Sequence, residues 1–142
     1  ALHSPLYLAC LLVEDNPSDV RLLKRALALM KDLTTHTLIV IDDGEQAANY
    51  FNTTEDLPDL IILDLNVPKV DGKALLTQLK GRKRTKHIPV IILTTSDVYH
   101  DVKDAYDHGA AAFVSKPIGL RDFTCAVQSL GAFWLRSVRY KK

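Results

Sequence analysis

The sequence predicts an α/β fold of three layers: a doubly wound, parallel, five-stranded sheet with helices on both faces. Three observations predict it. Short apolar runs recur at Leu8–Val13, Thr37–Ile41, Leu60–Leu63, Ile88–Leu93 and Ala110–Val114. Unbroken runs of that length read as strands buried on both faces, as in a parallel sheet. Segments with apolar residues at helical spacing lie between them, and this β-α alternation gives right-handed crossovers. Finally, every run but the second closes on a residue capable of chemistry: Asp15, Asp64, Thr94 and Lys116. In a parallel sheet those endings share one edge, the edge where open α/β folds bind ligands.

The stretch Asp59 to Gly72 organises the rest. Leu60 to Leu63 and Leu65 flank Asp64. Pro68 cannot donate to a sheet ladder, and Asp71-Gly72 reads as a turn pair. Asp64 is therefore expected at the carboxyl end of a central strand.

The remaining elements follow in order. The first strand ends in Glu14-Asp15. Asn16 suits a helix N-cap, Pro17 the first helical position and Asp19 the positive end of the dipole. Val20, Leu23, Leu27 and Met30 supply the buried stripe of that helix. After the second strand, Asp42-Asp43-Gly44 leads into a helix through about Asn52, with Ala47, Ala48 and Phe51 inward. Asp42-Asp43 reads as turn chemistry, apart from the acidic site. Leu75, Leu76 and Leu79 make a short amphipathic helix, followed by a basic loop from Gly81 to His87. The fourth strand ends at Thr94-Thr95-Ser96. Ser96 or Asp97 caps the next helix, with Val98, Val102 and Ala105 on one face, and Gly109 stops it. The fifth strand ends at Ser115-Lys116-Pro117, and a last helix runs from about Gly119 to Val138.

At 142 residues the chain is one domain by length and can bury a full core without staples. Eighteen basic and 17 acidic residues give a net charge of +1, which points to neither nucleic acid nor an acidic partner. Cys10 and Cys125 have no metal-ligand spacing and suit a reducing cytoplasm. The apolar start is too short to span a bilayer, and no basic segment precedes it. The histidines His3, His36, His87, His100 and His108 show no ligand spacing either. The basic run from Lys80 to Lys86 lacks interleaved aromatics and reads as a solvated loop, not a nucleic-acid contact.

With the first and third strands as neighbours, Glu14, Asp15 and Asp64 converge. Carboxylates that close repel one another by roughly 1–4 kcal/mol per pair and call for a cation or a shared proton. All-oxygen ligands with room for water favour Mg²⁺ over zinc. Lys116 adds a fixed positive charge and Thr94 a hydroxyl. Together these describe a site for a transferring phosphoryl group, with the central carboxylate as nucleophile and an acyl phosphate as product.

The motifs L-V-E-D-N at 12–16, L-D-L-N-V-P at 63–68 with D-G at 71–72, I-L-T-T-S at 92–96 and V-S-K-P at 114–117 resemble, as an ordered set, the receiver domain of two-component response regulators, the CheY-like fold. The resemblance runs from about Leu8 to Leu130. It implies the flavodoxin-like strand order 2-1-3-4-5 and a single receiver domain over residues 1–142 with no output domain. It implies that Asp64 accepts phosphate from a histidine kinase. Asp15, Asp64 and the Asn66 carbonyl would ligate Mg²⁺, which Mn²⁺ or Ca²⁺ can replace, and Glu14 would hold the ion through water. Lys116 would pair with the phosphoryl oxygens, and its bond to Pro117 would be cis. Thr94 and Phe113 would form the switch, Phe standing where many relatives have Tyr. Such a domain is no enzyme in its own right, although it assists its own phosphorylation and dephosphorylation. Asn66 and Ser96 lie where the resemblance suggests tuning of hydrolysis.

The segment Leu130 to Val138 is similar to that of stand-alone regulators paired with cyanobacterial phytochrome kinases. A phytochrome-type kinase is therefore an expected partner. Phe133, Leu135 and Val138 lie beyond the stripe formed by Leu120, Phe123, Val127, Leu130 and Trp134. That surplus apolar surface suggests a cytoplasmic homodimer through the last two helices and the strand between, with Phe133, Trp134 and Leu135 as interface candidates. The ordinary alternative is that the last helix simply packs over the sheet. Two other functions compete. An aspartyl-phosphate phosphohydrolase needs a second Asp two residues after the nucleophile, where this chain has Asn66. A degenerate receiver would lack part of the acid–Asp–Lys set, which is complete here.

Overall fold

The apolar runs pair as β1 (Tyr7–Val13), β2 (Thr35–Ile41), β3 (Leu60–Asp64), β4 (Val90–Thr94) and β5 (Ala112–Ser115). All pairings are parallel, in the order β2-β1-β3-β4-β5. The computed structural model describes residues 7–29, 35–67, 69, 71–95, 103–104 and 106–127, and the side chains of these apart from 7–8 and 35–37. The helices α1 (Pro17–Ala28), α2 (Gly44–Thr53) and α3 (Gly72–Gly81) connect the strands. Residues 103–104, 106–107 and 120–127 are also helical. Met30, Pro68, the helix-cap candidates Ser96 and Asp97, the face Val98–Val102–Ala105 and everything beyond Val127 lie outside the described residues.

The period-2 alternation of the strands splits the core into two layers. Cys10, Leu12, Leu60, Ile62, Ile91, Leu93 and Val114 pack with Leu23, Ala26 and Leu27 of α1 and with Phe123 and Val127. Leu11, Val13, Ile61, Leu63, Val90 and Ile92 pack on the other face with Phe51 of α2 and Leu75, Leu76 and Leu79 of α3. β3 and β4 are buried at every position, which is why their sequences do not alternate in polarity. Cys10 sits inside the first layer, where burial and the Asp59 carboxylate push its thiol up to about 12. It therefore behaves as a core residue, not a nucleophile.

The helix starts obey capping chemistry. Asn16 accepts from the backbone N–H groups of Ser18 and Asp19, with Pro17 at the first helical position. Asp43 caps α2 by accepting from Gln46 N at 2.7 Å. Asp71-Gly72, expected as a turn, is instead the cap and first residue of α3, with Asp71 accepting from Lys73 N. A side chain at Gly72 would stand 2.8 Å from Leu65 Cα, so glycine lets α3 start directly against the end of β3. Gly109 adopts φ 100 in the segment before β5, the left-handed geometry that ends a helix.

Strand limits shift by small, explicable amounts. β4 begins at Val90 because Pro89 has no N–H, though its carbonyl still accepts from Ile61 N. β2 begins two residues earlier than expected, at Thr35, opposite Tyr7. β5 begins at Ala112, with Ala111 N donating to the Val90 carbonyl.

The basic run from Lys80 to Lys86 is mostly solvent-facing, as expected, and its cations also hold neighbouring polar groups. Lys80 Nζ donates to the carbonyls of Lys86 and Ile88, at 3.2 and 2.6 Å. Arg82 donates to Asn52 Oδ1, and Arg84 to the carbonyls of Phe51 and Thr54. For Arg84 the partners are carbonyls at the end of α2, which lack an intrahelical donor. Arg82, Lys83, Arg84, Lys86 and His87 are exposed.

Candidate functional site at the carboxyl edge of the sheet

Strand register assembles the site. Val13 lies opposite Leu63, so the next residues, Glu14 and Asp64, stand side by side at adjacent strand tips. Asp64 pairs with Leu93 and Thr94 with Ser115. Lys116 therefore emerges one step beyond Thr94, and its N–H donates to the Thr94 carbonyl at 2.7 Å. Alternation places Glu14, Asp64 and Lys116 on the face covered by α1. It places Thr94 and Phe113 on the opposite face, where Phe113 packs half-buried against the second core layer.

Glu14 and Asp64 are nearly inaccessible, at 1% and 2% exposure, whereas Asp15 is exposed. One carboxylate oxygen from each of Glu14, Asp15 and Asp64 lies within 4.8 Å of the others, a spacing that can hold a divalent cation. Hard oxygen donors of this kind suit Mg²⁺ or Mn²⁺. Lys116 Nζ lies 2.9 Å from Asp64 Oδ2, 3.0 Å from Asp19 Oδ2 and 2.5 Å from Glu14 Oε1. The contact with Asp64 is a hydrogen bond. The approach to Glu14 is ionic, since Oε1 accepts no well-directed hydrogen bond. The other oxygen of Glu14 accepts from the backbone N–H groups of Asp15 and Asn16.

These contacts fix the protonation balance. Burial pushes the Glu14 carboxyl up to about 7; Asp64 beside it adds to the rise and Lys116 opposes it. Burial would lower the Lys116 ammonium, but its contacts with Glu14, Asp64 and Asp19 outweigh that and hold it above the ordinary lysine range. The site is a charged amine inside an excess of carboxylate, with space for negative charge only if a further cation arrives.

The family model for the response regulator receiver domain matches residues 10–128. The chain belongs to the response regulator receiver domain family.

Relatives sharpen the placement of the receiver. It is 37% identical to the response regulator Rcp1 of Synechocystis over 135 residues, covering 90% of this chain and 89% of Rcp1. It is 35% identical over 129 residues to a probable methanogenesis regulatory protein, FilR2, of Methanothrix harundinacea, covering 88% of this chain and 82% of FilR2. Among solved structures, that of a phosphorylated cyanobacterial phytochrome response regulator, RcpA, superposes with a TM-score of 0.76 at 34% identity, covering 92% of this chain and 96% of RcpA. Rcp1 itself has been solved in a Mn²⁺-bound form, with a TM-score of 0.75 at 35% identity over 92% of this chain and 96% of that one. A receiver of this kind is a response regulator component of two-component signalling, not a conventional enzyme.

Most site residues expected from the sequence of the receiver meet at one edge. Glu14, Asp15, Asp64 and Lys116 cluster directly, and the Lys116–Pro117 bond is cis. Thr94 is buried at the next strand tip. Asn66 donates its backbone N–H to Asp64 Oδ1 at 2.9 Å. Its side-chain amide donates to Thr94 Oγ1 at 3.2 Å and Thr95 Oγ1 at 3.3 Å. That amide bridge was not foreseen, and neither was Asp19 as a partner of Lys116. Asp19 reads locally as a helix-dipole acid; the only hint was its place in the same acidic stretch as Glu14 and Asp15. Ser96 and the interface candidates Phe133, Trp134 and Leu135 lie outside the described residues.

Proposed function

We propose that Asp64 is the phosphoacceptor of a phosphorelay, fed by a histidine kinase of the phytochrome type. The single observation that carries this is Lys116 Nζ held 2.9 Å from Asp64 Oδ2 beside a carboxylate cluster sized for a divalent cation. An Asp64 oxygen attacks the phosphorus of a phosphohistidine; the P–N bond breaks as the P–O bond forms. The imidazole leaves with a proton, and Asp64 becomes an acyl phosphate. Asp15, Asp64 and the Asn66 carbonyl would hold Mg²⁺ directly and Glu14 through water. When bound, the ion would supply positive charge to the oxygens of the loose phosphoryl-transfer transition state. Lys116 supplies the second positive charge and, once the transfer is complete, neutralises the product.

Thr94 and Phe113 carry the signal onward. The Thr94 hydroxyl turns from Asn66 towards the phosphoryl oxygen, and the space behind it admits the Phe113 ring. That couples a charge event at one strand tip to the surface around β5. On this reading the receiver also assists its own phosphorylation and dephosphorylation. Relatives that match it over most of their length support reading residues 1–142 as one domain. Output by protein contact and a cytoplasmic location belong to the same proposal. Homodimerisation through Phe133, Trp134 and Leu135 belongs to this reading, and sedimentation with and without a phosphoryl mimic checks it.

The test is labelling. Acetyl phosphate with Mg²⁺ labels the wild-type protein and fails to label Asp64→Asn. Label retained by the folded variant removes Asp64 from the nucleophile's role. Transfer from a purified phytochrome kinase, compared with an unrelated histidine kinase, then tests the choice of partner. Equal rates would defeat it.

A further inference from the structure

An ammonium has three N–H donors and no acceptor. Lys116 already faces three carboxylates, those of Glu14, Asp64 and Asp19, at 2.5, 2.9 and 3.0 Å. Of these contacts the one with Asp64 is a hydrogen bond. A phosphoryl group on Asp64 brings further oxygens that compete with the other two carboxylates for the same ammonium.

The three differ in what release costs. The Glu14 side chain is fully buried, and stripping a buried carboxylate of its cation is expensive. Asp64 is the group being modified and stays in place. The Asp19 side chain keeps 18% of its surface open, on the first turn of α1. Water and the positive end of the helix dipole remain available to it there. Asp19 can exchange the ammonium for water at the lowest cost, as partly exposed ion pairs do.

We propose that Asp19 is a displaceable counter-ion: it holds Lys116 in the resting receiver and yields it to the phosphoryl group. Asp19 is thus a positioning residue, acting on Asp64 only through Lys116. It sets how readily the phosphorylated state forms, because its attraction for Lys116 competes with that of the phosphoryl oxygens. The inference rests on Asp64 being the phosphoacceptor.

Beryllofluoride, a phosphoryl mimic, tests it without turnover. Its affinity is measured by calorimetry at saturating Mg²⁺ for the wild type, Asp19→Asn and Asp19→Glu. Removing the competing charge should tighten binding about two- to fivefold in Asp19→Asn. Asp19→Glu, which restores the charge, should return to the wild-type value. A structural role alone would lower the melting temperature of both variants without this split. Unchanged or weaker binding by a folded Asp19→Asn overturns the inference. If that variant is unfolded at the measuring temperature, Asp19→Ser replaces it under the same criterion. Absence of beryllofluoride binding in the wild type instead brings down the phosphoacceptor reading, and this inference with it.

Discussion

Lys116 and Lys80 are both partly buried lysines, and the contrast between them shows what makes a charged group reactive. Lys80 stands where α3 leads towards β4 and gives its protons to two backbone carbonyls, those of Lys86 and Ile88. Burial lowers its pKa, and the carbonyls bring no formal charge to oppose that. Lys116 stands at the end of β5 and faces three carboxylates, which hold it firmly charged. The first lysine closes a loop: its partners are fixed backbone atoms and nothing can exchange. The second sits among more negative charge than it can neutralise, so partners compete and a cation or phosphoryl group can change the arrangement. The lesson concerns partners, not burial. Carbonyl partners make a lysine structural, and an excess of carboxylates makes it a switch.

That contrast can be broken by trading each lysine for methionine, which keeps the apolar stem. Lys116→Met should reduce acetyl-phosphate labelling of Asp64 about 100-fold, the usual scale for losing one preorganised electrostatic group. It should leave a folded protein when Mg²⁺ is present. Labelling rates at saturating Mg²⁺ measure this, and a loss below threefold would place Lys116 outside the chemistry. Lys80→Met should leave labelling unchanged and lower stability by about 1–2 kcal/mol, as carbonyls lose their donor. Urea denaturation measures the loss; a changed labelling rate at equal stability would dissolve the distinction.

A smaller effect sharpens the same point through pH. Glu14 holds its proton more tightly in the folded protein than in the unfolded chain, with a folded value of about 7. Between the ordinary carboxylate range and that value the folded state carries more protons. The stabilisation is therefore present at acid pH and lost as pH rises towards about 7. In EDTA, stability should fall across that window, and Glu14→Gln should flatten the slope. Mg²⁺ affinity should rise through the same window and level off above it, because the ion competes with the proton. Denaturation curves at several pH values, with and without Mg²⁺, decide the matter. An unchanged slope in Glu14→Gln would assign the effect to another group.

Much of this was legible along the chain because it depends on local pattern. Unbroken apolar runs fixed β3 and β4, since a strand buried on both faces has no polar side to show. Asn16-Pro17 announced the start of α1, since a capping side chain and a preset φ act within one turn. Once register is set, period-2 alternation puts Glu14, Asp64 and Lys116 on the face of one core layer and Thr94 and Phe113 on the other. Asp71 misled for the same local reason, because an Asp-Gly pair serves a turn and a helix N-cap equally well.

What the amino-acid order determined by itself was which residues form strands, which stand at their tips, and that acids and an amine would share one edge. Only the tertiary structure decided which of them touch. Asp19 meets Lys116 across 97 positions of chain, Asn66 bridges to Thr94 and Thr95, and Arg84 closes the end of α2. Those contacts depend on the rotation of a helix over the sheet and on the register between strands. Both are set by packing of the whole core, so no local stretch of sequence encodes them.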